Sequence, residues 1–357
     1  MASKKLIKFR LRFIFILSLI TLTFFLSVYI SGSGSPKYAN SYNKLIANFE
    51  ETTERFFERL DYDNNFDEYK DLFEIPETFD GYIPQGYCYY EEENVHIISY
   101  YHSEKSSIIS VVNGDDGKKI KSLFLVDSNT EGINAHVGGI DTDNEFLYIT
   151  IDKTVGRVPI DRILNSNEID KVIIDEFIKL DVNCSYLNCV DEYLYVGEFY
   201  SADGDYETDK LHHIQTSPLT VSFARMNAYN LANIEFSNNP NGFATPQMSF
   251  AMPTRVQGLS RLNNGEFVLS ISYGRKNYSY LKTYSDVTKN KADFYYDFNG
   301  EKIPVYFFND DYLLNSKTLP PLLEGIDANN NVVTGIFESG AQKYSDAKWI
   351  ENNICEF

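Results

Sequence analysis

The chain of 357 residues carries 51 Asp and Glu against 32 Lys and Arg, a net charge of −19 at pH 7. This balance, with no basic stripe beyond the first residues, excludes a typical nucleic-acid-binding protein and favours cations such as calcium over anions. Hydrophobic residues make up 43% of the chain, enough for one large domain or two small ones.

The first 30 residues have the pattern of an export segment. Residues 13–30 contain no charged side chain, and as a helix they would span roughly 27 Å, close to the thickness of a bilayer core. Lysines and arginines precede this run, so the positive-inside rule keeps that flank cytoplasmic and exports the remainder. The sequence predicts an uncleaved transmembrane signal anchor over 1–30, because the run is long and no Ala-x-Ala site follows. A cleaved signal peptide, which would give a secreted protein, is the alternative.

Residues 31–69 are predicted to connect the anchor to the main domain. Small residues over 31–40 indicate a linker. Leu45, Phe49, Phe56 and Leu60 then recur at helical spacing, which predicts a short stalk helix over about 41–60.

From about residue 79 the chain reads as all-β, because short runs of Val, Ile, Tyr and Phe alternate with Asn/Asp/Gly turns. Variants of one unit recur along the chain at uneven steps. The equivalent positions are Gly86, Gly139, Tyr186, Gly258 and Gly325. Repetition of this kind, with four strands a unit, predicts a β-propeller over 70–357 with five blades, or six if 199–254 holds another.

The less regular parts of the repeat carry further expectations. The outer strand of the second unit is predicted at Val172–Ile174, and the third strand of the last unit at Lys343–Tyr344. Residues 199–218, 232–250 and 289–300 are predicted to be loops or insertions. The last unit lacks an outer strand, and a strand from around 70–80 is predicted to supply it and close the ring.

Four cysteines, Cys88, Cys184, Cys189 and Cys355, lie in the predicted exported domain, where disulfides are permitted. A Cys88–Cys355 bridge would link the first and last units and lock the ring, while Cys184 and Cys189 could pair only across a bend. The His212-His213 pair falls in a polar insertion and is predicted to be exposed.

Polar residues at matching positions of the units suggest a site at the mouth of the central channel. Those in the first strands are Gln85, His136, Ser185, Gln257 and Glu324; Glu198, Arg275 and Glu338 follow second strands. Apolar residues would suffice for packing there, so the pattern predicts a polar pocket. The alternative is that these side chains only satisfy one another in a water-filled channel.

Several short motifs resemble those of secreted bacterial propeller proteins of unassigned activity over roughly 80–357. The motifs are His136-Val-Gly-Gly139, Arg255-Val-Gln-Gly258, Ser272-Tyr-Gly-Arg275, and Pro320-Pro-Leu-Leu-Glu-Gly325 followed by Phe337-Glu-Ser-Gly340. More distantly, the architecture is similar to the strictosidine-synthase, paraoxonase and gluconolactonase propellers. That resemblance implies a central calcium supporting ester or lactone hydrolysis, although no full Glu-Asn-Asn-Asp set stands at matching places.

Two functions follow as expectations. The first is a membrane-anchored module outside the cytoplasm that binds a small molecule or a surface protein through Gln85, Ser185, Glu198 and Gln257, with the loops over 199–218 and 285–300. The second is a calcium-dependent hydrolase of esters or lactones. In that case His136 would act as general base beside Glu324 or Glu338, Arg275 or the metal would stabilise an oxyanion, and Glu324 and Glu338 would be the metal ligands.

Overall fold

The computed structural model describes residues 66–167, 169–202, 206–347 and 349–357. The predicted anchor over 13–30 and stalk helix over 41–60 lie outside these residues. Within the described part, no helix is both long and apolar enough to cross a bilayer.

Four-stranded sheets form the five blades of a propeller, as predicted, and the chain enters the domain through β1 (Lys70–Glu74), a strand of the last blade. Blade 1 contains β2 (Ile83–Tyr90), β3 (Val95–Tyr101), β4 (Ile108–Asn113) and β5 (Lys119–Val126). Blade 2 contains β6 (Ile140–Thr142), β7 (Phe146–Ile151), β8 (Thr154–Pro159) and β10 (Glu176–Lys179). A short helix, α1 (Ile160–Leu164), and β9 (Ile169–Ile173) lie between β8 and β10 in the chain.

The remaining blades follow in order around the ring. Blade 3 contains β11 (Tyr186–Val190), β12 (Tyr193–Gly197), β15 (Ala224–Asn230) and β16 (Met248–Met252). Blade 4 contains β17 (Val256–Arg261), β18 (Phe267–Ile271), β19 (Ser279–Tyr284) and β22 (Leu313–Leu319). Blade 5 contains β23 (Leu323–Asn329), β24 (Val332–Phe337), β25 (Asn353–Glu356) and β1.

Shorter elements decorate the blades. A two-stranded hairpin consists of β13 (Ile214–Gln215) and β14 (Val221–Ser222). A second hairpin, β20 (Phe294–Phe298) and β21 (Glu301–Phe307), extends blade 3 because β21 pairs in parallel with β16. Single turns of 3₁₀-helix cover Thr78–Asp80, Lys210–His212, Leu231–Asn233, Val287–Lys289, Asp310–Tyr312, Glu338–Gly340 and Gln342–Tyr344.

The ring closes between the two ends of the described chain. Strand β1 pairs antiparallel with β25, with Lys70 opposite Glu356 and Asp71 opposite Cys355. The predicted closing strand is therefore confirmed. Each first strand contacts the first strand of the next blade, and β23 contacts β2, so the ring is continuous at this junction.

Several boundary predictions are wrong. Residues of β9, including Val172, pair in parallel with β5 at the edge of blade 1, and β10 supplies the outer strand of blade 2. Part of the predicted insertion over 289–300 forms the β20–β21 hairpin. Residues 199–254 hold the third and fourth strands of blade 3, which removes the sixth-blade alternative. Lys343 and Tyr344 lie in a 3₁₀ turn, and β25 is the third strand of blade 5.

All four cysteines are free, so the Cys88–Cys355 bridge is not formed. Cys88 packs in the apolar cluster that includes Ile97 and Leu147, whereas Cys355 packs in another cluster with Leu323. The bridge fails because β25 is the third strand of its blade, away from the first strand that contacts β2.

The glycines of the repeat allow neighbouring first strands to touch. A Cβ atom at Gly325 would lie 2.6 Å from the backbone nitrogen of Tyr87, and one at Gly139 would lie 2.4 Å from that of Leu187. These distances are too short for any side chain, and the obstacles are backbone atoms. The repeated glycine therefore follows from the close approach of blades at the ring centre.

Replacing Gly325 with alanine is expected to lower the free energy of unfolding by about 1–3 kcal/mol, because β2 and β23 would have to separate. Denaturant unfolding followed by circular dichroism measures this change. Ser316→Ala, an exposed substitution in β22, is the control and is expected to stay within about 0.5 kcal/mol. Equal stability of the Gly325 variant and the wild type would contradict the proposed contact.

Candidate functional site at the channel mouth

A cavity of about 580 Å³ lies at the mouth of the channel. The five first-strand residues of the predicted ring all line it, together with Arg275 and Glu338. Irregularities in strand pairing orient three of them: the register of β2, β17 and β23 shifts at Gln85, Gln257 and Glu324. Such β-bulges redirect side chains from the face of a sheet. Here they turn an amide, a second amide and a carboxyl toward the cavity.

Two glutamates share this cavity. Glu324 is 4% exposed and receives a hydrogen bond from the Gln257 amide, Nε2 to Oε1, of 2.9 Å. Glu338, in the turn directly after β24, receives a hydrogen bond from the Gln85 amide and makes another with the Tyr344 hydroxyl. The hydrogen bonds to both carboxyls thus come from neutral groups.

The surroundings of the two carboxyls shift their pKa values differently. Burial raises the pKa of Glu324 well above its usual 4.5, and the Glu338 carboxylate raises it further. Burial also raises the pKa of Glu338, but hydrogen bonds from Tyr344 and Gln85 and nearby cationic side chains lower it. Glu324 is therefore the group that retains a proton, and Glu338 ionises first.

His136 also lines this cavity. Its imidazole stacks on the Tyr101 ring, with centroids 4.1 Å apart and planes 17° apart. Nδ1 lies 3.4 Å from the Gln85 side-chain oxygen. Burial, followed by the charge of Lys343, lowers the pKa of His136 below its usual 6.5. The ring is therefore neutral at physiological pH and can accept a proton.

Arg275 lies at the rim. Its guanidinium pairs with the exposed Asp346 and lies 4.9 Å from the centre of the Tyr344 ring. An exposed pair of this kind contributes little stability. Ser185 also lines the cavity, and its hydroxyl accepts a hydrogen bond of 3.0 Å from the backbone nitrogen of Phe199.

The calcium that the resemblance implies needs several oxygen ligands. The mouth offers the carboxylates of Glu324 and Glu338 and the amide oxygens of Gln85 and Gln257, which fit calcium in donor type. In the structure, however, both amides turn their NH₂ groups toward the carboxyls. The same arrangement fits a ligand that donates hydrogen bonds without any rotation of the amides.

Glu198 lies in a second cavity, of about 1030 Å³, and not in the first. It is 1% exposed and accepts hydrogen bonds from His212 Nδ1 at 2.9 Å and from the backbone nitrogens of Asn183 and Arg225, both at 3.1 Å. The prediction that His212 is exposed is therefore wrong, because Glu198 draws its imidazole inward. Nothing in the spacing of the loop signals this contact.

The second cavity also contains a largely buried ion pair. Arg225 Nη1 lies 3.7 Å from Asp181, and Nη2 donates to the Leu211 carbonyl at 2.9 Å. The guanidinium lies 4.5 Å from the centre of the Tyr296 ring. Sequence reasoning missed these residues because they come from the third strand of blade 3, the β20–β21 hairpin and the segments between blades, outside the matched positions of the repeat.

A further polar layer, also missed, lies along the same first strands. Asp141 accepts hydrogen bonds from the Asn188 amide at 2.7 Å and from the backbone nitrogen of Cys189 at 2.6 Å. Asp327 accepts one of 2.8 Å from the backbone nitrogen of Tyr89. Each aspartate joins the first strand of its own blade to that of the next, which is a structural role.

No protein-family model matches the chain, and no curated protein matches its sequence. Solved structures that resemble it include glutaminyl cyclase from Myxococcus xanthus, at 9% identity and a TM-score of 0.41 over 82% of this chain and 94% of that one. The PQQ-bound aldose sugar dehydrogenase from Streptomyces coelicolor matches at 12% identity and a TM-score of 0.46, over 80% and 96%. Both likenesses are consistent with a propeller and concern architecture alone.

The raised pKa of Glu324 predicts a pH-dependent effect of Glu324→Gln. A folded-state pKa above the unfolded value means that the wild type loses stability as pH rises from about 4.5 toward the folded pKa. The glutamine variant lacks this loss, so at pH 7.5 it is expected to be more stable than the wild type by on the order of 1 kcal/mol. At pH 4.5, where Glu324 is protonated, the two proteins are expected to be equally stable.

Thermal unfolding at both pH values measures this difference. Glu301→Gln, an exposed substitution in β21, is the matched control and should show no such dependence. If Glu324→Gln is less stable than the wild type at pH 7.5, the conclusion that Glu324 has a raised pKa and retains a proton is wrong.

Proposed function

We propose that this domain is a ligand-binding module whose site is the channel-mouth cavity, and that the ligand places a positive charge between Glu324 and Glu338. The buried glutamate pair carries this proposal. Burial and the Glu338 charge make ionisation of Glu324 unfavourable in the empty site, and a bound cation would offset both effects. The cavity volume of about 580 Å³ is within the range of small-molecule sites.

The walls support the same ligand type. Aromatic rings, including Tyr101, Tyr273 and Tyr344, line the cavity, and the faces of such rings attract cations. The amides of Gln85 and Gln257 hold the carboxyls in place. Arg275 and Lys343 place positive charge at the rim. The part of the ligand that lies beside them is therefore expected to carry no positive charge.

Calorimetric titration of the full-length chain with calcium chloride, and separately with ethylammonium chloride, tests the proposal. At least one of the two probes is expected to bind, and binding at pH 7 should release a proton from Glu324, detectable by comparing buffers with different ionisation enthalpies. Glu324→Gln is expected to weaken binding more than tenfold and to abolish proton release.

Glu301→Gln again serves as the control and should bind like the wild type. Failure of both probes to bind the wild type, or equal binding by wild type and Glu324→Gln, would overturn the proposal.

The position of His136 favours hydrolysis of esters or lactones as a second candidate. A neutral imidazole beside the glutamate pair can act as general base toward water, and Arg275 lies at the rim where it can meet a developing oxyanion. We expect turnover of p-nitrophenyl acetate or a simple lactone to rise with pH through the lowered pKa of His136. His136→Gln is expected to reduce the rate by about 100-fold or more. Equal rates for variant and wild type would remove this candidate.

A further inference from the structure

The two cavities adjoin one another. Lys153 and Asn183 line both of them, so these two residues form the ridge between the channel mouth and the second cavity. The Lys153 side chain is exposed, and a long exposed lysine can change its conformation at little cost. The second cavity is the larger, at about 1030 Å³ against about 580 Å³. A ligand longer than the mouth could therefore continue over this ridge.

The combined lining is acidic. Among the described residues that line the two cavities, there are eight Asp and Glu side chains and four Lys and Arg side chains. In the second cavity, Asp181 and Glu198 already contact Arg225 and His212. The remaining acidic residues there include two with exposed side chains, Asp209 and Asp297, which accept backbone hydrogen bonds from Leu211 and Gly300. These bonds do not neutralise their charge.

The second cavity also has an aromatic wall, formed by Phe243, Phe294, Tyr296 and Phe298. Two of these rings already contact cations of the protein itself. The Arg225 guanidinium lies 4.5 Å from the centre of the Tyr296 ring, and Lys179 Nζ lies 5.3 Å from the centre of the Phe243 ring. Two rings of this wall thus already attract cations, and Phe243 remains 48% exposed.

We propose that the two cavities form one elongated site for a linear chain that carries at least two protonated amines. One amine would lie between Glu324 and Glu338, the chain would cross the ridge at Lys153 and Asn183, and a second amine would lie against Phe243 and Asp297. This inference rests on the proposed function, because the first amine occupies the site described there. A linear polyamine and a short lysine-rich peptide both have this chemistry.

Calorimetric titration of the full-length chain with ethylammonium, putrescine and spermidine at about 0.15 M salt tests the inference. Salt at this level screens exposed charges and suppresses general attraction of polyamines to an acidic surface. The expected result is one spermidine per chain, bound at least tenfold more tightly than ethylammonium. Trilysine is the second arm: tighter binding than spermidine indicates a peptide ligand, and weaker binding indicates a polyamine.

Variants separate the two halves of the site. Phe243→Ala and Asp297→Asn are expected to weaken spermidine binding at least fivefold while ethylammonium binding stays unchanged, whereas Glu324→Gln weakens both. Glu301→Gln removes a nearby exposed charge of the same hairpin and is expected to change neither.

Equal affinity for ethylammonium and spermidine, or no effect of Phe243→Ala and Asp297→Asn, would overturn the elongated site and leave the proposed function standing. Equal losses in Asp297→Asn and Glu301→Gln, or several spermidines per chain, would show general attraction to an acidic surface and would also overturn it. Absence of binding by ethylammonium, calcium and spermidine alike would remove the inference and the proposed function together.

Discussion

The close approach of neighbouring first strands at the ring centre is the constraint on which the structure depends. A first strand has an unpaired edge toward the channel, and its backbone N–H groups need partners. Asp141 accepts a hydrogen bond from Cys189, and Asp327 accepts one from Tyr89, each across a blade boundary. Such contacts require strands without side chains between them, which glycines such as Gly325 provide.

Hydroxyl groups of the second strands complete the same junctions. Ser99 accepts a hydrogen bond of 3.0 Å from the Gly86 nitrogen and donates one of 2.6 Å to the Val137 carbonyl. Ser270 donates one of 2.7 Å to the backbone carbonyl of Glu324. The last bond connects the frame to the site, because Ser270 of blade 4 holds the backbone of Glu324, whose carboxyl enters the channel mouth. This bond restrains the backbone from which the Glu324 carboxyl extends.

The two buried carboxyls are held by hydrogen bonds from neighbouring blades. Glu324 and Glu338 come from the same blade, but the amides that contact them come from blades 4 and 1. The hydrogen bonds of the pair therefore involve three blades, and burial together with the Glu338 charge raises the pKa of Glu324, which keeps its proton. Binding sites commonly destabilise the protein locally. Polar groups that bind a ligand lack an ideal partner until the ligand is bound.

The sequence by itself determined the repeat, the closing strand and the residues at the ring centre. Runs of Val, Ile and Tyr, turn residues and glycines act locally, and their recurrence is visible without a structure. The position of Gln85, Gln257 and Glu324 in the repeat was likewise enough to place them at one mouth. Only the tertiary structure decided that Gln257 and Gln85 hold the carboxyls of Glu324 and Glu338, and that Glu198 turns instead toward a buried His212. These contacts depend on strand bulges and inter-blade segments, whose paths are set by packing between residues far apart in the chain.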